Sequence, residues 1–216
     1  MSGGETWRRF PVAPGDILLG DRGYSTPPGV RHVVEAGGDL VVRVNRQSLP
    51  LFDTQGKRLD AVKLGRKLRP SQCREWAASV LGGKSQPVAG RLIIVRRSTQ
   101  AAAQALKRLK RKAIKRQRPA TARSLEAAKF CFVWTTLPLS WSCRGVLDLY
   151  RSRWQIELAF KRMKSIMGLG HLPKKDPASC RAWIHGKLFT SLLVERMIGA
   201  ARKIGHWGYE LEHAPE

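Results

Sequence analysis

The residues of this chain that could do chemistry lie in two places. One is the run Tyr150-Arg151-Ser152-Arg153-Trp154-Gln155-Ile156-Glu157, continuing through Lys161 to Lys164. The other is Asp21, set in Gly20-Asp21-Arg22-Gly23-Tyr24. A carboxylate is a hard, acceptor-only ligand suited to a divalent cation. Arginine offers phosphate a planar fork, and lysine a mobile point charge. An acid holding a metal ion, flanked by cations that grip a polyanion, is what phosphodiester cleavage requires. A blander reading stands beside this one. Glu157 with Lys161 and Lys164 also fits a solvated helix face, and Asp21 also fits an acid in a tight turn. Spacing alone leaves both open.

The elements that must position these groups can be read from pattern. From Val146 to Met167 there is neither Gly nor Pro, which predicts a long helix. At about 100° per residue, Leu149, Ile156, Phe160, Met163 and Met167 form one apolar stripe, expected to be buried. Tyr150, Arg153, Glu157 and Lys164 fall in a neighbouring sector roughly 60° wide, with Lys161 at its edge. Ser140 or Ser142 can cap the helix, and Gly168-Leu169-Gly170 stops it. Ile17-Leu18-Leu19, after Pro14-Gly15, reads as a buried strand. Asp21 then sits at its carboxyl end, a favoured place for chemistry in a sheet covered by helices. The rival acid, Asp16, precedes the strand.

The rest of the chain supplies the frame. Val30, Val33 and Val34 suggest a short helix over 28–36, and Leu40 to Val44 a strand. Leu49-Pro50-Leu51-Phe52-Asp53 and Arg58-Leu59-Asp60-Ala61-Val62 flank a Gly56 turn and read as a hairpin. Gly82-Gly83 breaks the chain, and Leu92 to Val95 is a strand. A basic helix over 101–118 carries Lys107, Arg108, Lys110, Arg111, Lys112, Lys115, Arg116 and Arg118. From Trp76 to Leu125 there is no Asp or Glu. So one-signed a face gains nothing from i,i+4 pairing, which favours contact with phosphates, without sequence readout. Lys129 to Thr136 reads as the strand that returns to the core sheet. Asp176 as N-cap and Pro177 at the first helical position start a second helix, reaching Lys203 through Trp183, Leu188, Leu192, Val194 and Ile198. That helix is expected to pack into the core. His171 and His185 read as satisfied or exposed imidazoles rather than ligands.

Composition narrows the partner. The chain has 216 residues, 43% of them apolar, and a formal net charge of +24. Such an excess repels itself unless an anionic partner compensates it. Nucleic acid is the first candidate; a ribosome or an anionic membrane surface is the second. No apolar run of about 18 residues exists to span a membrane, and the N-terminus lacks the apolar centre of a signal peptide. Cys73, Cys131, Cys143 and Cys180 show no metal-ligand spacing and read as reduced, mostly buried thiols of a cytoplasmic protein.

The gaps between Tyr150, Arg153, Glu157 and Lys164, with the core Arg153-Trp154-Gln155-Ile156-Glu157, resemble the signature of DDE transposases of bacterial insertion sequences, in the family numbered four. Asp21-Arg22-Gly23-Tyr24 after an apolar strand is similar to that family's second aspartate motif. The resemblance implies an α/β (α+β) fold: an RNase H-like core with a mainly β insertion carrying the basic helix. Residues 1–37 would be core with the second acidic motif and 38–128 the insertion. Residues 129–216 would be the return strand and the C-terminal helices. It implies Asp21 and Glu157 as catalytic metal ligands for Mg2+ (or Mn2+), in a two-ion attack on a phosphodiester. Tyr150, Arg153 and Lys164 would hold the phosphates of double-stranded transposon ends. Lys161, Arg22, Lys107, Arg108, Arg111 and Lys115 are further expected DNA contacts. Implied partners are a second copy of the chain or a full-length transposase, on the bacterial nucleoid and away from any membrane. One departure matters. The family's first aspartate lies on an earlier strand, and upstream of Ile17 only Glu5 and Asp16 are acidic. The expectation is therefore the C-terminal part of a transposase, incomplete at its N-terminus and inactive alone. The alternative is a non-enzymatic basic DNA-binding module or transposition inhibitor.

Overall fold

The computed structural model describes residues 6–82, 85–165, 168, 172 and 176–201. In chain order they form a 3-10 turn at Trp7–Arg9, then β1 (Ile17–Gly20), α1 (Pro27–Glu35), β2 (Asp39–Arg43), β3 (Leu51–Phe52) and α2 (Ala61–Arg66). There follow β4 (Cys73–Ala77), β5 (Ser79–Gly82), β6 (Ser85–Val88), β7 (Arg91–Arg96), α3 (Thr99–Lys115) and α4 (Ala122–Ala127). The last are β8 (Phe130–Thr135), α5 (Cys143–Ser165) and α6 (Pro177–Ala201). The fold is mixed α/β. Two compact units divide it, Met1–Arg153 and Trp154–Glu216.

In the first unit a five-stranded sheet runs β1-β2-β8-β7-β4, and a three-stranded sheet runs β3-β5-β6. β1 and β2 are parallel, Ile17 beside Asp39 through Gly20 beside Val42, with α1 as the crossover. β8 is antiparallel to both β2 and β7. The carboxyl ends of β1, β2 and β7 therefore lie on one edge, with the amino end of β8 among them. Side chains alternate across this sheet with period two. Leu40, Val42, Leu92, Ile94, Phe130, Phe132 and Trp134 enter one core with α1, α2 and the second sheet. Val41, Ile93 and Val133 face the other way and meet Val146 of α5. Trp134, fully buried, donates its indole N–H to the Ala78 carbonyl at 3.0 Å, so its polar end is satisfied inside the core.

Strands from both sides of the 37/38 and 128/129 boundaries pair in one sheet, and the boundary between the two compact units falls inside α5. Several expectations change. β1 is a sheet edge in these described residues, and Ile17 is exposed rather than buried. The hairpin after β3 shrinks to a single bridge, Phe52 with Arg58. The reason is Asp60. Its carboxylate accepts the N–H groups of Val62 and Lys63 at 3.1 and 3.2 Å, and so starts α2 where a second strand was expected. The four cysteines are half-buried and form no disulfide among the described residues, rather than being mostly buried. Burial, then the neighbouring Cys73, pushes the Cys143 thiol up to about 12.

α5 begins as expected, with Ser142 Oγ accepting from Gly145 N at 3.0 Å. Its first turns are anchored by Val146, with Leu147, Leu149 and Tyr150 packed beside it. Beyond Arg153 the apolar stripe is not buried: Ile156 and Phe160 are each 57% exposed. Met167, like Leu169, Gly170 and His171, lies outside the described residues. α6 starts at the expected Asp176 cap, whose carboxylate accepts from Ser179 N at 2.8 Å. It buries no residue, so the core packing expected of it is not observed; Phe189 and Leu192 are among its exposed side chains. The described part of the second unit is two helices joined by Arg162 and Glu195 at 3.1 Å. Two helices cannot enclose apolar surface that runs round most of their circumference.

Two contacts fix the frame around the sheet edges. Arg91, buried, reaches Glu75 at 2.7 Å and the carbonyls of Pro138 and Trp141 at 2.9 and 3.0 Å, tying β7 to the segment before α5. Replacing it by Ala strands these acceptors and should lower stability by about 3 kcal/mol in urea unfolding. A change below about 0.5 kcal/mol would mean that other contacts hold that segment. Gly20 ends β1 directly under Trp7, where an added Cβ would stand 2.3 Å from the indole Cζ2. Gly20→Ala should lower stability by about 1–3 kcal/mol and reduce the melting temperature, because the ring must move; an unchanged melting temperature would show that Trp7 yields freely.

Candidate functional site

Asp21 follows β1 on the edge where the carboxyl ends of β1, β2 and β7 meet. It is half-buried, and its Oδ1 accepts from Gly23 N at 2.7 Å, which closes the turn. Buried Ser25 joins this loop to the one after β2. Its Oγ accepts from Asn45 N at 2.9 Å, and its carbonyl accepts from Ser48 Oγ at 2.7 Å. Beneath, Trp7 stacks against Tyr24 with centroids 4.5 Å apart and meets Phe10 edge-on. The acid thus stands on a rigid strand end rather than a loose loop. Asp16 does something else: its Oδ2 accepts from Ala13 N at 2.8 Å and shapes the turn that leads into β1.

The same edge is rich in arginine. Arg43 ends β2, Arg46 lies in the loop after it, and Arg97 follows β7. Burial lowers the pKa of Arg22, and Arg43, Arg46 and Arg97 lower it further, opposed by Cys131. Arg22 is exposed by accessibility, so the crowding comes from neighbours around a guanidinium that solvent still reaches. Arg46 is lowered by burial and by Arg123, opposed by Asp60, and lies 5.8 Å over the Phe132 ring. All remain charged in water. Of these four, the sequence points only to Arg22. Arg43 and Arg46 lie far in the chain from Arg97, and the signal of arginine at strand ends could have found Arg43 and Arg97.

On α5 the structure groups the expected residues in two sets. In the first unit the Arg153 guanidinium lies 5.7 Å from the Tyr150 ring centroid. Burial raises the Tyr150 phenol above its usual range, and the charges of Arg153 and Arg43 pull it back in part. The phenol oxygen has no hydrogen-bond partner of good geometry among the described residues, so Arg153 acts on it as a nearby charge. The phenol is a neutral donor at physiological pH. In the second unit Glu157, Phe160, Lys161, Lys164 and Ser165 line a shallow, open hollow. The sector expected from helical spacing is present there as one acid with two amines.

α3 displays the expected basic face. Ser98 caps it, accepting from Ala101 N at 3.3 Å. Its alanines and leucines at 101, 102, 105, 106, 109 and 113 are half-buried. Lys107, Arg108, Arg111 and Lys115 are exposed, and none has an ion pair among the described residues.

Residues 5–193 match the family described as Transposase DDE domain. Domains of this family generally use divalent metal ions. Among the described residues no three His, Cys, Asp or Glu side chains come together. The chain is 34% identical over 199 residues to the putative transposase InsL for insertion sequence element IS186A of Escherichia coli strain K12, covering 88% of this chain and 53% of that protein. The transposase for insertion sequence element IS421 of Escherichia coli is similar to the same extent. The transposase for insertion sequence element IS231F of Bacillus thuringiensis subsp. israelensis is 22% identical over 209 residues, covering 89% of this chain and 44% of that protein. The chain spans about half the length of these relatives. With most of its length matched, it belongs to the family of transposase DDE domains.

Proposed function

We propose that this chain works in the transposition of a bacterial insertion sequence by binding the double-stranded DNA of transposon ends. The observation that carries the reading is Asp21, an acid closing a strand that runs parallel to its neighbour, in a chain of this family. An RNase H-like core is the fold that membership supports, and the Tyr150, Arg153, Glu157 and Lys164 spacing supports placement in family four. In this reading Arg153 offers a phosphate its fork, and Tyr150, kept neutral, donates its phenol hydrogen. Lys161 and Lys164 add point charges beside Glu157. α3 holds the duplex through phosphates and reads no bases. Asp21 and Glu157 would each lend a carboxylate to Mg2+ or Mn2+. Asp21 and Glu157 by themselves are fewer acids than a two-ion centre draws on. Activity would need a further acid from a partner, either a second copy or a full-length transposase. The work would take place on the nucleoid in the bacterial cytoplasm; among the described residues no helix is long and apolar enough to cross a membrane.

A second reading, a non-enzymatic DNA-binding module that inhibits transposition by occupying ends, is favoured by the one-signed α3, in a molecule where no three metal-ligating side chains group among the described residues. One measurement tests the DNA contact that both share, and a second separates them. Replacing Lys107, Arg108, Arg111 and Lys115 together by Ala should lower the salt slope of DNA binding by about 3–4, equally on unrelated sequences. A slope that stays put in fluorescence anisotropy removes α3 from the interface. Calorimetric titration with Mn2+ should show binding heat that Asp21→Ala and Glu157→Ala each abolish while DNA binding persists. Heat retained in both variants would leave the module as the surviving reading.

A further inference from the structure

The arginines at the sheet edge do not belong to the basic helix, and although the charge of Arg43 reaches Tyr150 they follow the ends of the strands. Gly20 pairs with Val42, so the turn holding Arg22 lies beside Arg43. Arg43 pairs with Val133 of β8, and Arg97 N donates to the Lys129 carbonyl at 2.9 Å, one strand further on. From β1 to β7 is three strand spacings, about 14 Å. Ser25 fixes the loop that carries Arg22 to the loop that carries Arg46. The row is therefore set by backbone pairing.

Its charge is poorly balanced. The acids nearby are Asp21, held by Gly23 N–H, and Asp60, held by two N–H groups and by Arg123 at 3.2 Å. The Nε atoms of Arg43 and Arg97 are buried with no hydrogen-bond partner among the described residues. A buried donor left without an acceptor is unfavourable, and more so on a charged group. Like charges held side by side add to this. One kind of ligand relieves both conditions: an oxyanion that several guanidiniums can grip at once.

We propose that Arg22, Arg43, Arg46 and Arg97 form a phosphate-binding row that takes consecutive phosphates of one nucleic acid strand, laid across the ends of β1, β2, β8 and β7. The length of the row selects the strand over a free phosphate. Successive phosphates of one strand advance about 3.4 Å along a duplex axis, so about 14 Å accommodates several. A single phosphate would engage two arginines and leave the others facing one another. The row rests on the DNA-binding reading for its ligand, and it is distinct from α3 in both place and residues.

The test uses the full chain, a short labelled DNA duplex of arbitrary sequence, and two variants. Arg43→Gln with Arg97→Gln removes the two half-buried arginines whose Nε atoms are buried. Arg22→Gln alters an exposed side chain and so keeps the question answerable if the double variant fails to fold. The salt slope of binding should fall by about 2 in the first and about 1 in the second. Inorganic phosphate, set against chloride at equal ionic strength, should compete no better with wild type than with either variant. Unchanged slopes in whichever variants fold overturn the row. So does phosphate competition seen in wild type and lost in a variant, because the site would then take a single phosphate. If the α3 variant lowers the slope while these do not, the row alone is wrong; if wild type binds no duplex, the DNA-binding reading itself is wrong.

Discussion

The strand β8 is what the first unit is built on. It lies between β2 and β7, and its residues divide strictly by parity. Phe130, Phe132 and Trp134 fill the larger core, while Val133 meets α5 on the other face. A slip of one residue would exchange these faces and expose the large aromatics. The register is also fixed by polar contacts at its end. Thr136 Oγ1 donates to Asp39 at 2.6 Å and accepts from Leu40 N at 3.0 Å. Holding β2 in this way holds β1 as well, since β1 pairs with nothing else among the described strands. The position of Asp21 thus depends on packing that begins more than a hundred residues later in the chain.

A second constraint is electrostatic. The protein concentrates arginine on the edge where its strand ends converge, and lysine and arginine along α3, while its acids are drawn into local work. Asp16, Asp53, Asp60 and Asp176 each accept backbone N–H groups at turns or helix starts. Glu75 and Glu126 are taken up by Arg91 and Arg66. The acids therefore do little to neutralise the basic surfaces, and an external polyanion is the charge the molecule lacks.

Much of this was legible in the sequence. The apolar run before Asp21 and the Gly20 and Gly23 around it mark a strand and its turn, because both signals are local. So are the Ser142 and Asp176 caps and the one-signed helix near residue 107. The failures share a cause. Asp60 reads as part of a strand until its carboxylate is seen to serve two amides. The apolar stripe of Ile156 and Phe160 has the period of a buried face, but a period shows which residues share a face and not what covers it. The grouping of Arg22, Arg43 and Arg97 has only a weak local signal, arginine at a strand end, because they become neighbours through strand order.

Helical spacing brings Tyr150 to Arg153 and Glu157 to Lys161 and Lys164, and those groupings are properties of α5 alone. What α5 does not supply is rigidity along its whole length. Val146 is its one fully buried residue, and its apolar anchors stop near Tyr150. The Tyr150 and Arg153 pair therefore belongs to a packed frame, whereas Glu157 lies on a stretch whose large apolar side chains face solvent. A residue that must hold a metal or a phosphate in fixed geometry needs support behind it. By that criterion the strand-end residues, braced by Ser25, Trp7 and the sheet register, have the support that Glu157 lacks.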